Sequence, residues 1–151
     1  VVQLPGAFAS YLVRTAYSDE ASWHAVRDAV LSDANEYGYL PDLFVVDDPA
    51  YDGLGASEVA AAVAPDHISS FVVVVDADAL SDPAQAVLVV DLRTDVAPFR
   101  CLPRAVAEIS SNQSISNVNL SEFARSVDAS GVFRGFWEDP PGAAPEVANT
   151  L

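Results

Sequence analysis

The sequence predicts an α/β domain: a mixed β-sheet, parallel in its first half and partly antiparallel in its second, flanked by helices. Three observations lead there. The runs Phe-Val-Val-Val-Val at 71–75 and Ala-Val-Leu-Val-Val at 86–90 are uninterrupted apolar stretches, as expected of strands covered on both faces. Segments with helical spacing alternate with these and other strand-like runs, which is the α/β pattern. At 151 residues and 51% hydrophobic content, the chain is long enough for one buried core and too short to suggest two.

The elements follow in order. Residues 10–15, Ser-Tyr-Leu-Val-Arg-Thr, are rich in β-branched and aromatic side chains and read as the first strand. Ser18 is a natural N-cap, with Asp19 and Glu20 in the first turn of a helix over about 19–34. Trp23, Val26 and Val30 form its apolar stripe, and Gly38 and Pro41 punctuate its end. Residues 42–47 are a second strand, and 48–53 are turn-rich. An Ala-rich helix spans about 56–63 and stops at Pro65. The strand ending at Val75 comes next. A turn or single helical turn around Asp82-Pro83 leads into the strand at 86–90. Residues 98–102 make a shorter fifth strand, and Pro103 opens a helix to about Ser111. After the polar stretch 110–119, Asn119 caps a last helix, with Glu122 completing a capping box. Leu120, Phe123, Ala124 and Val127 are its buried stripe and Gly131 its end. Residues 132–137 form a short strand or an aromatic plug. The organisation expected is an N-terminal extension at 1–9, one domain at 10–137, and a Pro/Gly/Ala-rich disordered tail at 138–151.

Several segments resemble a family of small uncharacterised domains from actinobacteria and some fungi. They are Leu-Val-Arg-Thr at 12–15, Val-Asp-Asp-Pro-Ala-Tyr-Asp-Gly-Leu at 46–54, Val-Leu-Val-Val-Asp-Leu at 87–92, Asn112 to Asn117 leading into Glu122-Phe123, and Gly-Val-Phe-Arg-Gly-Phe at 131–136. The resemblance implies a self-contained domain and carries no activity with it.

Charge is the main pointer to function. The chain has no lysine and a formal charge of −15. Between 35 and 92 there are eleven acidic residues and no lysine or arginine. Such a surface repels polyanions and attracts cations or a basic partner. Nucleic-acid binding is therefore not expected. No run of 18 apolar residues predicts a membrane span, and residues 1–13 lack the basic start of a signal peptide. The single cysteine, Cys101, excludes an intrachain disulfide and reads as a small core hydrophobe. These features predict a cytoplasmic protein. Its oligomeric state is not encoded in any visible pattern.

Two groups of residues are candidates for chemistry. Strand-ending carboxylates Asp47 and Asp48, Asp76 and Asp78, and Asp91 could meet at one sheet edge. There, with Tyr51 nearby, they could bind a ligand or hold Mg²⁺ or Ca²⁺. The opposing expectation is that Asp is a common turn-former and that no metal or other cofactor is bound. The polar stretch offers Asn112, Ser114 and Asn117 as paired donors and acceptors for a polar ligand, or simply as its own caps. Arg134 with Phe133, Phe136 and Trp137 is an interface-like cluster or a core staple. His24 and His67 have no companion ligands, no G-x-S-x-G elbow is present, and no Gly-rich phosphate loop is present. Two functions fit. The first is a non-enzymatic interaction protein, immunity-like or regulatory, that binds a basic partner through the acidic 35–92 face. The second is a small enzyme or ligand-binding protein using the strand-end carboxylates or the 110–119 stretch.

Overall fold

The computed structural model describes residues 4, 9–34, 38–67, 69–93, 95–114 and 119–136. The expected tail at 138–151, Trp137 and Asn117 lie outside the described residues. So do the side chain of Ser114 and most of the N-terminal extension.

One mixed sheet runs through the molecule in the order β2-β1-β3-β4-β5-β6. Its strands are β1 (Ser10–Arg14), β2 (Leu43–Val46), β3 (Phe71–Val75), β4 (Val87–Asp91), β5 (Phe99–Cys101) and β6 (Val132–Phe133). β1 pairs in parallel with both β2 and β3, whereas β4 is antiparallel to β3 and to β5. β6 returns parallel to β5. Thus β4 alone runs against the other strands. The register Phe71↔Asp91 fixes a consequence: Asp91 lies at the amino end of β3, not beside Asp76. The carboxylate edge expected to include Asp91 is therefore split.

Among the described residues, five helices flank the sheet: α1 (Glu20–Ser32), α2 (Ala56–Ala62), α3 (Ala77–Ser81), α4 (Val106–Ser114) and α5 (Leu120–Arg125). Trp23, Val26 and Val30 of α1 pack with Leu12, Val73, Val89, Ile109 and Phe123 in the larger core. Val59 and Ala62 of α2 join Tyr11, Val13, Val72 and Val74 on the opposite face. The alternation along β1 and β3 sends successive side chains to different cores. This is why β3 reads as an unbroken apolar run and β1 stays apolar from Tyr11 to Val13. The chain leaves β1 towards one side and returns from β2 towards the other, so right-handed crossovers put α1 and α2 on opposite faces.

Element boundaries differ from expectation where two residues could do the same job. Asp19, not Ser18, is the N-cap of α1: its Oδ1 accepts Ser22 N at 3.0 Å and its Oδ2 accepts Ser22 Oγ at 2.7 Å. Starting one residue later makes Glu20 the first helical residue, within reach of Arg14. α4 runs on to Ser114, so the polar stretch begins inside a helix, and Asn112 Nδ2 donates to Glu108 O one turn back at 2.7 Å. Asn119 occupies the N-cap position of α5, but its side chain makes no capping hydrogen bond. The expected capping box is not formed. α5 stops at Arg125, and Gly131 instead closes a turn in which Asp128 O accepts Gly131 N at 3.0 Å.

Candidate functional site

The ends of β1, β2 and β3 share one edge, the carboxyl edge of the sheet. Between β1 and β3 the crossovers diverge to opposite faces, and α/β folds place ligands in such a crevice. Arg14 ends β1 here. It is a charged residue with 1% exposure, packed into an otherwise apolar strand. Its Nη2 lies 2.6 Å from Glu20 Oε1, its Nη1 donates to Asp47 Oδ1 at 3.2 Å, and its Nε donates to Ala16 O at 2.9 Å. The guanidinium carbon sits 4.0 Å from the Tyr17 ring centre and 5.2 Å from that of Trp23, within cation–π range. Burial disfavours the cation, but Glu20 and Asp47 outweigh it and hold Arg14 above its ordinary value. Burial, then Asp47, pushes the Tyr17 phenol up as well.

A second arginine gathers the next carboxylates. Arg100 of β5 reaches across β4 and donates to Asp76 Oδ1 at 2.8 Å and Oδ2 at 2.7 Å. Asp78 Oδ2 lies farther, at 3.5 Å. Asp76 also caps α3 by accepting Ala79 N at 3.0 Å. Burial raises its carboxyl, but the hydrogen bonds from Arg100 and Ala79 prevail and hold it below the usual carboxylate range.

The expected edge therefore forms only in part, and two of its carboxylates, Asp47 and Asp76, bond to arginines that the sequence reading passed over. The available signal was a lone Arg inside each of two apolar strands. Among the described residues, no three His, Cys, Asp or Glu side chains converge as metal ligands would. Asp91 works at the opposite edge, where its oxygens accept Arg93 N and Val96 N. A depression of about 330 Å³ lies there between Asp91, Arg93 and Asn119. A smaller one of about 140 Å³ borders His67 and Arg93. The Arg93 guanidinium donates to the carbonyls of Ser69 and His67. His67 is buried, its ring tilted against Tyr11 at 4.8 Å between ring centres, and its Nδ1 accepts Ser69 N.

Both distinctive motifs have structural jobs. Asp48 caps a 3-10 turn at Pro49–Tyr51 by accepting Ala50 N at 3.0 Å, and Tyr51 is buried in the core beside α2. In the other motif, Phe133 and Phe136 pack with Phe123 at ring-centre distances of 5.0 to 5.2 Å. Arg134 pairs with Asp128, whose carboxyl it holds far below the usual range. Gly135 has φ +101°, and a Cβ there would sit 3.1 Å from the buried Glu108 carboxylate. That carboxylate accepts Phe136 N at 3.1 Å. Arg134 stands at the β6 end of the sheet and Asp47 at the β2 end, so the fold does not bring them together. Cys101, on β5, has no exposure, and burial followed by the Glu108 charge pushes its thiol well up.

A family model described as a domain of unknown function, DUF6924, matches residues 9–136. The chain belongs to this family. The DUF6924 match begins at the residue before β1 and ends at Phe136, so it takes in every strand of the sheet. No curated protein matches the chain. Among the described residues, no helix of this DUF6924 member is long and apolar enough to cross a membrane.

Proposed function

We propose that this domain is a non-enzymatic interaction protein, immunity-like or regulatory, that binds a basic partner through its acidic 35–92 face. One observation carries the reading. Asp42, Asp47, Asp48, Asp52, Glu58, Asp66 and Asp78 are all exposed. The positive charge, by contrast, is largely committed: Arg14, Arg27, Arg100 and Arg134 each pair with a carboxylate. The surplus of the −15 charge therefore projects outward. The bidentate pairing of Asp76 with Arg100 also weakens the metal alternative, since a cation would compete with a guanidinium there.

Charge of this kind steers encounter more than it holds a complex together. The test is to isolate a binding partner and follow its association rate against salt. A basic partner is expected, with an association rate falling steeply as the screening length drops towards about 8 Å at physiological ionic strength. Reversing Asp42, Asp52 and Asp66 should slow association more than it speeds dissociation. These positions avoid the arginine pairs and so leave the fold intact. An association rate flat in salt would overturn the reading. Saturable stabilisation by micromolar Mg²⁺ or Ca²⁺ would favour the ligand-binding alternative instead.

A further inference from the structure

We infer that the outer edge of β2 is a docking strand for an extended, basic segment of a partner protein; the inference rests on the acidic-interaction reading. β2 is the terminal strand of the sheet, and among the described residues it pairs with β1 alone. Unpaired strand edges present a row of backbone donors and acceptors to any chain that can lie beside them. The other terminal strand, β6, has only two residues and offers little template.

The surface around β2 is unusual for this molecule. Among the described residues, the large exposed apolar side chains are Tyr39, Leu40, Phe44 and Phe136. Three of them fall within six residues at β2, with Tyr39 at 65%, Leu40 at 56% and Phe44 at 42% exposure. Phe136 is different, since it stacks on Phe123 at the far edge. Phe44 meets Tyr11 edge-on, at 6.2 Å between ring centres, so one side of the ring is packed while the other faces outward. Exposed carboxylates bracket the strand: Asp42 precedes it, and Asp47 and Asp48 follow it.

That bracket selects the occupant. A second copy of this chain would bring like carboxylates together across the new pairing and add the repulsion of two −15 bodies. A basic strand would turn the same carboxylates into attraction. Asp42 and Asp47 are five residues apart, which is roughly 16 Å along an extended chain. The partner segment would therefore carry cationic side chains about five positions apart, with β-branched or aromatic residues between them. Main-chain pairing would supply affinity, and the flanking charges with Phe44 would supply selectivity.

The test uses the full chain and three synthetic peptides. One is Lys-Val-Thr-Val-Thr-Lys. The second has Glu at both ends. The third keeps both Lys residues but has Pro in place of its second Val, so it cannot pair as a strand. The first should bind and slow amide hydrogen exchange at Leu43–Val46. The other two should bind at least about tenfold more weakly. Phe44→Ser and, separately, Asp42→Asn should weaken the first peptide by a similar factor, with circular dichroism showing the fold kept. Equal, salt-sensitive binding of the two Lys peptides with no protection at Leu43–Val46 would overturn the docking strand and leave the acidic reading standing. Absence of binding by either Lys peptide at low salt would overturn the docking strand. The acidic reading would then be judged by the natural partner's association rate. Binding of the Glu-ended peptide as tight as that of the Lys-ended one would also overturn the inference.

Discussion

Arg14 is buried among Tyr17, Trp23 and two carboxylates, and its removal should reveal how much the fold depends on one charge. Arg14→Ala leaves Asp47 without its partner and a cavity between two aromatic rings. It should cost about 3 kcal/mol in urea unfolding. Glu20 is 65% exposed, so Glu20→Gln should stay within about 0.5 kcal/mol. If the two variants lose the same amount, the ion pair rather than the packing is what counts. Asp76 gives a pH test. Its carboxyl titrates lower in the folded chain than the ordinary value of about 3.9. The stability it contributes is therefore present above that ordinary value and is lost as pH falls through the depressed folded one. Asp76→Asn retains a capping side chain for α3 and removes the charge facing Arg100. It should cost about 2 kcal/mol at neutral pH, and the gap to the parent should close under acid. A gap unchanged down to about pH 2 would assign the loss to something other than ionisation. These arginines were legible only as oddities. A sequence shows that Arg14 and Arg100 interrupt apolar strands, but which carboxylate each meets depends on strand order.

Elements were easier to read than their ends. The unbroken apolar runs identified β3 and β4 as covered strands, because side chains on both faces of each enter a core, and the two pair side by side. The stripe of Trp23, Val26 and Val30 identified the buried face of α1 for the same reason. Caps were not so legible, since Ser18 and Asp19 have equivalent chemistry and only the path of the chain out of β1 chooses between them. The choice is measurable. Asp19→Ala should destabilise by about 1 kcal/mol, the usual worth of an N-cap. Ser18→Ala and Asn119→Ala should each fall within about 0.5 kcal/mol, because Asp19 does the capping in α1 and the Asn119 side chain makes no capping bond in α5. Thermal unfolding of the three variants separates them. A full cap-sized loss at Asn119 would mean that it closes the helix in solution after all.

At the scale of the whole molecule, strand direction decided which carboxylates could meet. Only eleven residues, 76–86, separate β3 from β4. That is short for a crossover returning to a parallel strand, and the reversal of β4 follows. It sends Asp91 to the far edge and lets Arg100, rather than a third carboxylate, face Asp76. The Gly-Val-Phe-Arg-Gly-Phe segment at 131–136 also acquires its meaning only at this scale. The glycines at 131 and 135 both hold positive φ, and the segment between them seals the sheet against Phe123 and Glu108.

The buried thiol of Cys101 has a practical consequence. It is the chain's single cysteine, has no exposed surface, and lies in the core between β4 and β6. A thiol reagent can reach it only when the sheet opens, so modification becomes a clock for opening events in the native protein without any engineered label. Reaction in dilute buffer should be slow. Its dependence on urea should match the slope of the equilibrium transition if the whole domain must come apart. A shallower slope would show that the two-residue β6 peels away by itself. The same chemistry would then time the fraying of one sheet margin while the opposite one, at β2, stays paired to β1.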